Sequence, residues 1–244
     1  MSSTNSSTIV KSEIEQFAKD SANWWDENGP FKPLHALNPV RMTYIKAQIC
    51  DHFDRDVNDL KALKGLSVLD VGCGGGLVCE PTARMGANVT GADADAQAIA
   101  VASAHAKEAR LKITYKHGAA ENLKKKFDVV LALEIIEHVS DPALFVENVA
   151  KLAKPNGLVI FSTLNRTAKS YALGIVAAEY LLRWVPRGTH SWDKFIKPSE
   201  LRRHAKKASL TPYDVTGLVF NPLKNQFSLS NNDVAVNYFM SCKN

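Results

Sequence analysis

Gly72, Gly74 and Gly76 stand at alternate positions after the apolar run Ser67–Val71 and ahead of a helical pattern. Residues without a Cβ let the chain turn sharply and let a ligand approach the main chain closely. Asp93 closes the next apolar run, 21 positions beyond Gly72. A carboxylate at that spacing can accept from both hydroxyls of a ribose. A second constellation follows the fourth apolar run: Glu134, Glu137 and His138. If that segment opens a helix, the i, i+3 and i+4 spacing puts all three on one face. There they could hold a divalent cation such as Mg2+, which lowers the pKa of a phenol. The alternative has the two acids favouring a helix N-terminus, with His138 acting as a base or simply positioned.

The glycine pattern is not the dinucleotide fingerprint, because the place of its third glycine is taken by Leu77. G-x-G-x-G preceded by an acid, here Asp70, is the form that methyltransferases use for S-adenosylmethionine. That ligand has no pyrophosphate to seat on a helix N-terminus; its amino-acid end suits polar backbone and a nearby carboxylate. Glu121, after the third strand, lies where an adenine edge would be met, with Ala120 against the base and Leu133 against the methionine moiety. Plain core or loop roles serve equally well for Glu121 and Leu133. Cys73, inside the loop, reads as a small residue in a tight turn rather than a nucleophile.

The elements that must position these residues alternate. Short apolar runs at Ser67–Val71, Asn88–Asp93, 113–117, Phe127–Leu133 and 158–163 are separated by helical patterns near 77–85, 95–109 and Pro142–Leu152. That texture means βαβ units and a mostly parallel sheet. Ahead of it, Ile14, Phe17, Ala18, Ala22 and Trp25 mark an amphipathic helix. Pro30, Pro33 and Pro39 then break the chain into a loop, and a second helix runs over 38–52. After Thr163 the alternation is interrupted by an apolar stretch with basic flanks, YALGIVAAEYLLRWV. A polar helix over 198–209 and two strands, 213–218 and 233–238, complete the chain.

The expected organisation is an α/β, Rossmann-like class I methyltransferase with a mostly parallel sheet, an N-terminal helical cap and an inserted helical segment after strand 5. Residues 1–64 hold a disordered arm and the cap, 65–164 the cofactor-binding core, and 165–199 the insertion. Residues 200–244 supply a C-terminal helix and antiparallel strands.

Composition excludes several classes. The 244 residues are 45% hydrophobic and 23% charged, enough for a sizeable core. A net charge of +5, with its basic residues scattered, argues against a nucleic-acid partner. The N-terminus lacks the apolar centre of a secretory signal, and no run reaches the length of a membrane span. Cys50, Cys73, Cys79 and Cys242 form no C-x-x-C pair, which fits free thiols in a reducing, cytoplasmic setting.

Several segments together resemble the ubiquinone-biosynthesis O-methyltransferase family: FAKDSANWWDENGPFKPLHALNPVRMTYI, VLDVGCGGGLVCEPTARMGANVTGAD, LEIIEHV, FSTLNRTAKSY and AAEYLLRWVPRGTHSWDKFIKP. The similarity covers residues 13–240. It implies S-adenosylmethionine as methyl donor, with cofactor contacts at Arg41, Gly72, Asp93 and Leu133, the last a mild departure from a frequent Met. It implies two O-methylations, on a 2-polyprenyl-6-hydroxyphenol and on 3-demethylubiquinol. It also implies a metal set at Glu134, Glu137 and His138, and other ubiquinone-biosynthesis proteins as partners. Because an isoprenoid tail lives in a bilayer, the apolar helix with basic flanks is expected to lie on anionic lipids through residues 165–187. The protein would then be peripherally bound to the inner face of the cytoplasmic membrane. The competing role for that helix is a lid packed on the domain.

Overall fold

In the computed structural model the described residues are 8–172 and 191–244. Five strands run parallel: β1 (Ser67–Val71), β2 (Asn88–Asp93), β3 (Thr114–His117), β4 (Phe127–Leu133) and β5 (Ala153–Leu164). Three antiparallel strands extend the sheet: β6 (Thr211–Asn221), β7 (Gln226–Ser230) and β8 (Asn237–Lys243). The order is β3-β2-β1-β4-β5-β8-β6-β7. The helices are α1 (Lys11–Ala18), α2 (Lys32–His52), α3 (Cys79–Arg84), α4 (Ala96–Glu108), α5 (Pro142–Leu152), the single turn α6 (Ala168–Ser170) and α7 (Pro198–Lys207). This is the expected α/β architecture.

The parallel strands read as continuous apolar runs because both faces of the sheet are covered. Alternate side chains go to opposite layers. Leu69, Val71, Val130, Val159 and Phe161 pack in one layer with Phe145 and Val149 of α5 and Leu201 of α7. Val68, Val129, Leu131, Leu158 and Ile160 pack in the other with Tyr44, Ile45 and Ile49 of α2.

Three local expectations are corrected. The loop expected at the prolines is helix: α2 starts at Lys32, carries Pro33 in its first turn and continues through Pro39. Pro33 sits where the N–H is unsatisfied anyway. Pro39 is exposed, so solvent can reach the carbonyl that its missing N–H leaves, while the buried stripe Leu37, Arg41, Tyr44, Ile45 and Ile49 holds the helix down. The C-terminal part has three strands rather than two, since β6 and β7 form a hairpin through residues 222–225 and β8 begins only at Asn237. Finally, the 134–138 segment is not an α-helix. Glu134 has a φ of +52°, and only a single 3-10 turn, Ile136–His138, follows it.

The apolar stretch expected to lie on lipid falls over 171–185 and so is almost wholly outside the described residues, as are residues 1–7 of the expected arm. Among the described residues no helix is long and apolar enough to cross a membrane.

Candidate functional site

Sequential order runs from β1 outward to β3 and then jumps back across β1 to β4, which leaves a crevice beyond the carboxyl ends of β1 and β4. A cleft with about 920 Å3 of empty space, its open mouth included, occupies that position. Of the residues expected from sequence, Gly72, Gly74, Asp93, Ala120, Glu121, Glu134 and His138 line it. Gly72 and Gly74 both have positive φ, +72° and +50°. A Cβ at Gly72 would fall 2.2 Å from Ile135, and one at Gly74 would fall 2.4 Å from the Trp24 ring. Only glycine fits either place.

Asp93 is fixed by main chain. Its Oδ2 accepts from the Gly74 N–H and its Oδ1 from the Asp95 N–H, each at 2.8 Å. Burial raises its carboxyl above the ordinary range, and the N–H groups of Asp95 and Gly74 work against that rise. Asp95 caps α4 by accepting from the Gln97 N–H, and its other oxygen accepts from the Ser21 hydroxyl. Glu121 accepts the Thr8 N–H through Oε1 at 2.8 Å, while its Oε2 is buried with no partner among the described residues.

The remaining cofactor candidates sit beneath the cleft or beside it. Asp70, 3% exposed, accepts from the Cys79 thiol at 3.4 Å. Burial pushes its carboxyl up to about 7; the Cys79 bond and the Arg41 charge oppose that shift, and Asp93 adds to it. Arg41 is buried near the charges of Glu134 and Asp70, with its Nε lacking a partner among the described residues. Leu133 packs in the α2-side layer, and Gly76 lies against the Tyr115 hydroxyl.

On the other side of the cleft the three residues expected on one helical face are dispersed. A left-handed residue followed by a 3-10 turn cannot keep the α-helical i, i+3, i+4 alignment. Glu134 accepts from the Ser162 hydroxyl at 2.5 Å and from Asn237 Nδ2 at 2.8 Å. Glu137 is buried and accepts from the Thr163 hydroxyl at 2.9 Å. Burial and the neighbouring Glu134 hold its carboxyl well above the usual range. His138 Nδ1 pairs with Glu13 Oε2 at 2.9 Å. The Glu13 carboxyl is lowered to about 2, chiefly by that bond, against a burial penalty and with help from Lys194. Oxygen and imidazole donors of this kind suit a divalent cation. In this arrangement, however, the set does not converge, and among the described residues no three His, Cys, Asp or Glu side chains stand together so as to hold a metal ion.

The sequence allows Trp24, Trp25 and His35 to close over the cofactor or the ring, but it does not mark the N-terminal residues that roof the cleft beside Trp24. Thr8, Ile9, Val10, Glu13 and Ile14 line it together with Trp24. Trp24 stacks on Phe31 at 3.8 Å, and Trp25 stacks on His105 at 3.5 Å while its Nε1 donates to the Gly75 carbonyl at 2.9 Å. Gly75 and His105 are far from Trp25 in sequence, so no local periodicity marks those contacts.

Residues 43–215 match the family described as a methyltransferase domain. The chain is 48% identical over 243 residues to the ubiquinone biosynthesis O-methyltransferase of Azorhizobium caulinodans, covering 98% of this chain and 96% of the relative. It is 49% identical over 243 residues to the protein of that name in Brucella ovis, covering 98% of each. Among solved structures, the fold is like that of magnesium protoporphyrin IX methyltransferase from Synechocystis PCC 6803 with bound SAM. The TM-score is 0.65 at 17% identity, over 100% of this chain and 99% of that one. A SAM-dependent methyltransferase from Aquifex aeolicus matches with a TM-score of 0.57 at 14% identity, over 88% and 98% of the two chains.

Proposed function

The chain belongs to the ubiquinone biosynthesis O-methyltransferase family and is an O-methyltransferase, and from that premise we propose how its residues hold the methyl donor and the acceptor. The donor is S-adenosylmethionine; the acceptors are the ring hydroxyls of 3-demethylubiquinol and of a 2-polyprenyl-6-hydroxyphenol. The observation that carries the reading is the fixed Asp93 carboxylate beside the Gly72–Gly74 turn, at the mouth of the crevice.

S-adenosylmethionine, when bound, supplies a methyl group on a sulfonium sulfur, already activated toward an oxygen nucleophile. Asp93 accepts from the ribose hydroxyls with the lone pairs left by its two N–H bonds. Gly72 and Gly74 allow close main-chain approach. Glu121, whose Oε2 is buried with no partner among the described residues, meets the adenine edge, and Ala120 meets its face. Arg41 offers a buried cation to the carboxylate of the amino-acid end, with Asp70 behind it and Leu133 packed alongside. His138 takes the phenolic proton, and Glu134 and Glu137 place acidic oxygens on the acceptor side. Glu134, Glu137 and His138 are each bonded to a protein partner, Ser162, Thr163 and Glu13 respectively.

The family resemblance supports a membrane-borne acceptor, with residues 165–187 meeting anionic lipid and with other ubiquinone-biosynthesis proteins nearby. Turnover on a short-tail demethylubiquinol, compared with a tail-less catechol, tests the acceptor. The expected result is a kcat/KM at least tenfold higher for the prenylated ring, since about 0.8 kcal/mol is gained per buried methylene. Equal values for the two would remove the prenylated acceptor.

A further inference from the structure

Away from the cleft, the end of the sheet that meets the insertion carries a second feature. β5 ends at Leu164, where Asn237 of β8 and Leu218 of β6 stand at the same level. β6 and β7 continue past that level as a two-stranded hairpin, paired as far as Asn221 and Gln226. Three further residues of β6, at about 3.3 Å each, carry the tip roughly 10 Å beyond the end of β5. Apolar pairs on one face stiffen this hairpin. Leu218 is buried opposite Leu229, and Phe220 lies opposite Phe227 with ring centroids 4.9 Å apart. Phe227 packs against the α2-side layer.

The turn itself is fixed, since Asn221 Oδ1 accepts from the N–H groups of Leu223 and Lys224 at 3.0 and 3.2 Å. It presents Leu223, 96% exposed, with the exposed Lys224 beside it. Between Asp214 and Asp233 the sequence has no acid. At the root of the insertion Tyr171 is half exposed and meets Trp192 edge-on, with centroids 6.4 Å apart. Rings of this kind, apolar in body and polar at one edge, gather at bilayer interfaces.

We propose that the tip of the β6–β7 hairpin is a lipid contact, in which Leu223 enters the interface of an anionic bilayer and Lys224 meets its headgroups. The inference rests on the reading of a membrane-borne acceptor, and it adds to the insertion a second contact built on the sheet. A protein partner needs about 800 Å2 of matched surface on each side. A tip of one apolar side chain, ringed by Asn221, Asn225 and Gln226, does not offer that. Fluid hydrocarbon requires no matched shape and takes a single side chain. A lysine in an acid-free stretch is suited to anionic headgroups. Two contacts at this end of the sheet turn the mouth of the cleft toward the bilayer, where a single one would leave the domain free to swing.

The test uses the full chain and vesicles of phosphatidylglycerol with phosphatidylethanolamine. All four native cysteines are buried, so a polarity-sensitive dye can be placed through Leu223→Cys. Leu60→Cys is the control, because Leu60 is 81% exposed ahead of β1, at the opposite end of the sheet. On vesicles the dye at 223 should shift to the blue and the dye at 60 should not. In flotation, Leu223→Glu should lower affinity about tenfold or more and Lys224→Ala about fivefold, while Leu60→Glu should match the parent. Turnover of Leu223→Glu on a tail-less catechol should equal the parent's, which shows that the fold is intact. An unshifted dye at 223 on vesicles that hold the protein, or parental affinity in Leu223→Glu, would overturn the inference. A shift that appears without vesicles and grows with protein concentration would set the tip against a second copy and overturn it too. Leu181→Glu with Leu182→Glu separates the two lipid readings. Parental flotation of that variant, with the dye at 223 still shifted, would remove the insertion's contact and keep the hairpin's. A parent chain that binds no vesicle would remove both.

Discussion

At the scale of single residues, the site is governed by carboxylates whose surroundings differ. Asp93 has each oxygen tied to a main-chain N–H, so the same group shapes the Gly72–Gly74 turn and presents its remaining lone pairs to a ribose. Hydrogen bonds to a charged group contribute about 1.5–3 kcal/mol each. Asp93→Asn should therefore weaken S-adenosylmethionine binding by about 10- to 100-fold in calorimetry; unchanged affinity would remove the ribose assignment. Asp70 is the opposite case, a buried acid raised to about 7 from an ordinary 3.8. A raised acid favours the fold in its neutral form. That contribution is complete below the unfolded value of 3.8 and is lost as pH rises through about 7. Asp70→Asn cannot ionise, so its stability relative to the parent should climb across that window by roughly 2–4 kcal/mol and then level off. Urea denaturation without cofactor, at pH 5 and pH 8, measures this; a constant difference between the two proteins would contradict it.

At the scale of elements, the N-terminal strap, residues 8–25, and the glycine loop are fitted to one another. A Cβ at Gly75 would stand 2.4 Å from Trp24 Cβ and Cγ. Gly75→Ala should therefore lift Trp24, at a cost of about 1–3 kcal/mol for overpacking. It should raise hydrogen exchange over residues 8–25 while α5 and β4 stay protected; unchanged exchange there would mean that the strap is not held by this contact. The sheet is legible in the sequence because short apolar runs alternate with helical stretches, and the glycine loop because its spacing is local. The 134–138 segment is not. Its residues carry helical spacing, but Glu134 is pulled into a left-handed turn while bonded to Ser162 and Asn237, residues 28 and 103 positions away. Tertiary partners override the local pattern. Pro39 misleads for a related reason, since a single missing N–H is outweighed by the buried stripe of α2. The N-terminal part of the roof escapes notice because Thr8 and Glu13 acquire their meaning only from Glu121 and His138.

At the scale of the whole molecule, the insertion leaves the carboxyl end of β5, the same end of the sheet at which the cleft opens. An acceptor whose ring enters there can keep its tail on the side from which the insertion departs. The basic, apolar sequence over 165–187 then supplies the lipid contact proposed above. Leu181→Glu combined with Leu182→Glu should abolish flotation with anionic liposomes and spare turnover on a tail-less phenol; equal recovery of parent and variant would contradict a lipid-binding insertion. The central claim is narrower: donor and quinol meet in one cleft and a methyl group passes to a ring oxygen. Its most direct test is a single-turnover reaction of the full chain with S-adenosylmethionine carrying a deuterated methyl, a short-tail demethylubiquinol and mass spectrometry of the extracted quinol. One intact deuterated methyl should appear on the ring oxygen of the quinol, at a rate that falls in His138→Ala. Donor bound with no label in the quinol would contradict it.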